Sequence, residues 1–178
     1  MNEQQFENAV ARMVQGDKNA LREIYEAYIG YIYRIVYDIL QNKENAEDVT
    51  SDFFIRLWDK AEQFKPGCGH KGYLATMARN MAIDFIRKYR KEELTALLQD
   101  IQACPEEEGE AGIIQDISVK EMLEMLKPAE RQIVSLKVLG ELTFKEIAEV
   151  MKIPMGTVTW KYQNAIKKLR RCGYEQGF

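Results

Sequence analysis

The residues with the clearest chemistry lie near the C-terminal end. From Val158 on, the apolar residues Val158, Tyr162, Ala165 and Leu169 recur at helical spacing and make one core-facing line. Turned away from that line are Thr157, Thr159, Trp160, Lys161, Gln163, Asn164 and Lys167. Hydroxyl, amide and cationic groups in a row along one helix face suit the donors and acceptors that base edges present in the DNA major groove. A second set lies mid-chain. Tyr73, Thr76, Asn80, Arg87, Lys88 and Lys91 fall opposite the apolar stripe Leu74, Met77, Ala78, Met81 and Phe85. A ring that can stack on a base, an amide that can bond a base edge and a cationic tail that can hold phosphates suit contact with nucleic acid. A third set, Asp48, Asp52, Ile55, Arg56 and Asp59, mixes acid with an outward apolar residue, and Trp58 lies close by. That mixture fits a protein interface better than DNA, although Trp58 fits a core position equally well.

The inventory points away from catalysis. His70 is the only histidine, and Cys68-x-His70 offers two ligands where structural zinc takes four. No enzyme activity, metal or cofactor is expected.

The elements that position these residues are helices. Thr143 followed by Glu146 is a capping box, and Ile147, Ala148 and Met151 give the helix after it a buried stripe. Ile153-Pro154 then interrupts the period before the helix that carries the outward row. The pair reads as a helix-turn-helix whose second helix reaches the groove. Upstream, helices are expected over about Glu3–Val14, Ala20–Leu40, Ala46–Ala61 and Lys71–Tyr89. The second has the stripe Leu21, Ile24, Tyr25, Tyr28, Ile32, Ile35, Val36 and Ile39, and the third buries Val49, Phe53 and Leu57. Further helices are expected at Leu94–Ile101, from Ser118 to Leu126, and from Pro128 to Gly140. No strand-like alternation of useful length occurs. The fold class is therefore all-α, as two small helical domains.

Charge marks the division between them. The net charge of −3 conceals a strap, residues 92–117, that carries eight acidic side chains and no basic one. Lys71, Arg79, Arg87, Lys88, Arg90 and Lys91 cluster before it against Asp84 alone, and residues 156–171 hold five cations and no acid. Affinity for nucleic acid follows local charge near phosphates, so an acidic total is compatible with two DNA contacts. The expected domains are 1–91 and 118–178, with 92–117 as a flexible linker. No apolar run reaches membrane-spanning length, the start lacks a signal pattern, and three scattered cysteines imply no disulfide framework. A cytoplasmic protein, with no membrane insertion and no small-molecule substrate, is the simplest expectation.

Three blocks carry a resemblance: Glu47-Asp-Val-Thr-Ser-Asp-Phe-Phe-Ile-Arg-Leu-Trp58, Tyr73-Leu-Ala-Thr-Met-Ala-Arg-Asn-Met-Ala-Ile-Asp-Phe-Ile-Arg-Lys88, and Leu142 to Leu169. Together they resemble the sigma-70 family of RNA polymerase sigma factors, and best its extracytoplasmic-function (ECF) group. The resemblance covers nearly the whole chain. It implies a dissociable polymerase subunit that recognises promoter −10 and −35 elements and helps to open the DNA. It places −10 single-strand contact on the helix bearing Tyr73 to Lys91 and the loop from Gln63 to His70. It places polymerase docking on Asp48, Asp52, Ile55, Arg56 and Asp59, and −35 readout on Thr159, Trp160, Gln163 and Asn164. It also implies core RNA polymerase, promoter DNA and an anti-sigma factor as partners.

The chain departs from the family pattern in places. Where Ser-Arg-x-x-Arg-Ala-Arg is frequent, it has Trp160-Lys-Tyr-Gln-Asn-Ala-Ile166: two arginines are lost, at Asn164 and Ile166, and Lys161 is a non-bidentate substitute for the third. Ser51 replaces a frequent glutamine, and Lys152 occupies a turn position often held by glycine. Two readings of the strap stand, a nucleic-acid mimic threading the polymerase channel and a solubilising tether. Two rival functions stand as well. One is a helix-turn-helix regulator acting without polymerase, and the other is a sigma-like adaptor that lacks −35 readout.

Overall fold

Side-chain caps set the helix starts. Asn2 accepts the Gln5 amide at 2.8 Å, Asp17 the Asn19 amide at 2.9 Å and Asn42 the Asn45 amide at 2.9 Å. Each satisfies a donor that the first turn leaves without a partner. The computed structural model describes residues 1–67, 69–97, 123 and 125–171, with side chains described to Tyr89 in its longest helix. Among these residues lie α1 (Glu3–Val14), α2 (Lys18–Leu40), α3 (Lys43–Asp59), α4 (His70–Leu97), α5 (Pro128–Val138), α6 (Phe144–Met151) and α7 (Met155–Arg171), with one short 3-10 turn at Ala61–Gln63. The described residues contain no strand.

The caps start α2 and α3 earlier than hydrophobic spacing alone suggests, because a polar first turn contributes nothing to an apolar stripe. α4 runs past its expected end near Tyr89, since neither glycine nor proline interrupts Tyr73–Leu97. It therefore absorbs the start of the short helix expected at Leu94–Ile101. The rest of that helix, the acidic strap from residue 98 onward, and the helix expected from Ser118 apart from Leu123, Met125 and Leu126 lie outside the described residues, while strap residues 92–97 form the end of α4.

α2 is the central element, packed against α1, α3, α4 and α5. Phe6, Ile24, Ile32, Val36, Phe53, Leu57 and Leu74 are essentially fully buried around it. Tyr25 is the exception in the expected stripe: it is 42% exposed and lies against Phe54 with ring centroids 4.8 Å apart. It falls on the stripe's edge, where a tyrosine keeps its hydroxyl in water.

The apolar cluster does not stop at α4. It continues through Ile133, Leu136, Leu142, Ile147, Val150 and Val158, so α5 packs on α2 and α6 on α4. A smaller cluster of Leu123, Leu126, Val134, Ala165 and Leu169 lies between α5 and α7. A polar group is buried at the seam between the halves. Ser135 Oγ donates to Asp38 Oδ2 at 2.6 Å, and Arg34 Nε lies 3.1 Å from Asp38 Oδ1. Burial pushes the Asp38 carboxyl above its ordinary value despite both partners. Gly140 permits close approach here. A Cβ at that position would lie 2.6 Å from the Leu136 carbonyl oxygen and 2.7 Å from the Tyr31 hydroxyl. Lys71 of α4 pairs with Glu141 across the same seam.

Candidate nucleic-acid interface

The C-terminal unit is built around a tight turn. Thr143 Oγ1 accepts the Glu146 amide at 3.2 Å, and Glu146 Oε2 accepts the Thr143 amide at 2.7 Å. The Thr143 hydroxyl also donates to Glu146 Oε2 at 2.7 Å, and this bond together with the Thr143 amide holds the Glu146 carboxyl below its usual range. α6 ends at Lys152 with φ 55°, a left-handed position at which a lysine is disfavoured by roughly 1 kcal/mol. The Pro154 carbonyl then accepts the Thr157 and Val158 amides at 2.9 and 3.1 Å, opening α7.

Val158, Ala165 and Leu169 are buried as the spacing requires, and Tyr162 is half-buried, edge-on to Phe144 at 5.3 Å. Lys168 pins the distal part of α7 to α5 through Glu130 at 2.7 Å. Burial opposes ionisation of Glu130, but Lys168 and the Lys127 amide together keep its carboxyl below the ordinary value. The outward row divides in two. Trp160, 61% exposed, stands out with exposed Gln163 and Lys167, while Thr157, Thr159, Lys161 and Asn164 are half-buried along the flanks. Thr159 Oγ1 donates to the Met155 carbonyl at 3.0 Å, so its hydroxyl offers only lone pairs outward.

α4 is less simple. Asn80, Arg87 and Lys88 are exposed, and Arg87 lies 3.4 Å from Asp84. The expectation that Tyr73 stands fully outward is corrected: it is half-buried, edge-on to Phe64 at 5.2 Å, and burial raises its hydroxyl pKa. Thr76 is half-buried too. The side chain of Lys91 lies outside the described residues. Two cations of the expected basic patch turn to the seam instead. Lys71 pairs with Glu141, and Arg79 joins Asp38, Gln132 and Ser135 around a small cavity. Arg79 Nε finds no hydrogen-bond partner there among the described residues, and burial lowers the pKa of its guanidinium.

On α3, Asp48, Asp52, Ile55, Arg56 and Asp59 are all exposed, with Ile55 at 62%. Trp58 is half-buried against the core. Ser51 Oγ donates to the Glu47 carbonyl at 3.0 Å. The lone histidine is a core group. His70 is 6% exposed, its Nε2 lies 2.6 Å from the Tyr28 hydroxyl, and burial lowers its pKa. Its contacts, and those of Glu3 and Glu7 with the turn before α4, are absent from the reading of the sequence. The one available signal was Glu3, Phe6 and Glu7 sharing a face of α1.

Residues 24–92 match the family model of Sigma-70 region 2, and residues 116–169 that of Sigma-70, region 4. The chain belongs to the sigma-70 family. It is 26% identical over 181 residues to the ECF RNA polymerase sigma factor SigW of Bacillus subtilis, across 95% of this chain and 97% of that protein. It is 25% identical over 172 residues to the ECF sigma factor SigK of Mycobacterium bovis, across 93% and 92%. The fold is shared with the sigma factor RpoE, solved with the anti-sigma factor NepR from Bartonella quintana, at TM-score 0.67 and 18% identity over 87% of this chain and 98% of that one. This sigma factor is an alternative, ECF-type one, directing core RNA polymerase to promoters. The region 2 match spans most of α2 and all of α3, which a lone helix-turn-helix regulator would not need. α1 lies outside both matched stretches.

Proposed function

We propose that α4 and the turn before it hold the −10 single strand, that α7 reads the −35 duplex, and that the exposed face of α3 docks on the polymerase. One observation carries this reading: a single chain presents two separate polar, cationic helix faces, Asn80 with Arg87 and Lys88 on α4, and Trp160 with Gln163 and Lys167 on α7. Each follows a well-seated apolar stripe. In this reading 1–91 and 118–178 are the working domains and 92–117 the linker. Asn80 bonds a base edge, Arg87, Lys88 and Lys91 hold phosphates, and Tyr73 and Thr76 line the inner wall of the strand's path. Trp160 covers a thymine methyl or sugar, and Lys161 beside it stands where the family often has arginine. The protein acts in the bacterial cytoplasm, needs no cofactor and catalyses nothing of its own.

From −35 to −10 is about 25 base pairs, or about 85 Å of duplex. A compact chain of this length is only about 40 Å across. The seam between α2 and α5 therefore opens on the promoter, and the chain between Leu97 and Leu123, which reaches about 90 Å when extended, permits it. A partner that keeps the seam shut would silence the protein. The fold shared with RpoE in its NepR complex supports an anti-sigma factor as that partner.

Permanganate footprinting of unpaired thymines tests the −10 assignment. Polymerase with the Asn80→Ala protein should bind promoter DNA yet give at least about tenfold less melting, the equivalent of one lost base contact. Unchanged melting would remove α4 from the strand's path.

A further inference from the structure

Four contacts tie α1 to the turn that leads into α4. Glu7 Oε1 accepts the Gly67 amide at 2.8 Å, and Glu3 Oε1 accepts the Gly69 amide at 3.1 Å. Both glycines are left-handed, with φ 78° and 71°, a conformation that residues with side chains rarely adopt. Phe6, on the same face of α1, is fully buried and grips the turn at both ends. It is edge-on to Phe64 at 5.3 Å and stacked on His70 at 5.0 Å. Glu3, Phe6 and Glu7 thus meet one turn at three points from positions i, i+3 and i+4 of a helix.

The two kinds of contact do different work. Phe6 supplies buried apolar surface, which holds α1 on the bundle. The carboxylates add little to that, because Glu3 is exposed and Glu7 half-buried, where such bonds are screened by water. What they do fix is direction. A glycine-rich backbone has many conformations open to it, and a carboxylate accepting an amide selects the orientation of one peptide plane. Here two successive acceptors set the planes at Gly67 and Gly69, immediately before the first turn of α4.

We propose that Glu3 and Glu7 are positioning residues for −10 recognition, holding the turn between Phe64 and His70 in the shape that accepts its base. The proposal rests on the assignment of that turn and α4 to the −10 strand. It gives α1, which neither family match covers, a part in specificity rather than only in packing. Neither carboxylate touches DNA itself.

The test is in vitro transcription with core polymerase from templates randomised at the −10 element and, separately, at the −35 element. Three forms of the full chain are compared: unaltered, Glu3→Ala/Glu7→Ala, and Glu3→Gln/Glu7→Gln, whose amide oxygens keep an acceptor in place. The alanine pair should flatten base preference at one or two −10 positions by about tenfold, as for one lost charge-assisted bond. Its −35 preference, affinity for polymerase and melting temperature should match the unaltered chain, and the glutamine pair should recover most of the −10 preference. An alanine pair that keeps the −10 preference, or that loses output equally on every template, overturns the proposal. Should the unaltered chain itself show no −10 preference, the underlying assignment fails and the proposal falls with it.

Discussion

α4 and α7 both carry an outward polar face, yet they are supported in unlike ways. α7 is seated on its own unit, held by Val158, Ala165, Leu169 and the Lys168–Glu130 pair, with Trp160, Gln163 and Lys167 exposed on its outer face. α4 is embedded. The turn before it is gripped from α1, Tyr73 leans on Phe64, and Lys71 and Arg79 are drawn toward the C-terminal half. The contrast matches two tasks. Reading a duplex needs side chains that protrude into a wide groove. Holding a strand with its bases turned out needs a walled surface, and the walls that stay in place once the seam opens come from α1 and the turn at Phe64.

Substitutions can break or sharpen that contrast. The largest effect is expected at the seam that embeds α4. Arg34→Ala leaves the Asp38 carboxylate buried with Ser135 as its remaining close partner, and should destabilise the fold by about 3 kcal/mol in urea unfolding. Asp38→Asn, which keeps a hydrogen bond to Ser135, should be far milder. Equal losses from the two would mean that the seam is not formed in solution. On α7, Gln163→Ala should shift −35 base preference by about 1–3 kcal/mol without altering thermal stability, since the side chain is exposed. A lowered melting temperature would show that α7 is as embedded as α4. Lys167→Ala should weaken promoter binding evenly across sequences and reduce the salt dependence by about one unit of slope.

The smallest expected effect is on pH dependence. Burial lowers the His70 pKa, so the unfolded chain takes up a proton first as pH falls through 6.5. Stability is therefore full above that value and declines on acidification. His70→Gln should flatten the decline, and a curve unchanged by that substitution would show that His70 is not a buried neutral group.

The same contrast explains what could be read from the sequence. α7 was legible because everything that seats it lies within about 40 residues and follows one helical period: the Thr143 cap, the turn at Pro154 and the stripe from Val158. The α4 face was legible only at its exposed points. Tyr73 sits at an outward phase of the helix, but Phe64, from the turn ahead, covers it. Lys71 and Arg79 look like members of a basic patch until Glu141 and Ser135, far along the chain, come against them. Arg34 and Asp38 lie one turn apart on α2, and only the packing of α5 on α2 buries the carboxylate. Periodicity reports on a helix's own dry side and says nothing of partners supplied by remote segments.

The central claim is that two differently supported helices act on one promoter while the chain rides on polymerase. Its most direct test mixes the purified chain with core polymerase and maps start sites on a library of genomic DNA. The account predicts stable association and initiation at a limited set of promoters sharing both a −35 and a −10 sequence, with neither appearing when core polymerase acts alone. Failure to associate with the core enzyme, or start sites indistinguishable from those of core polymerase alone, would contradict it.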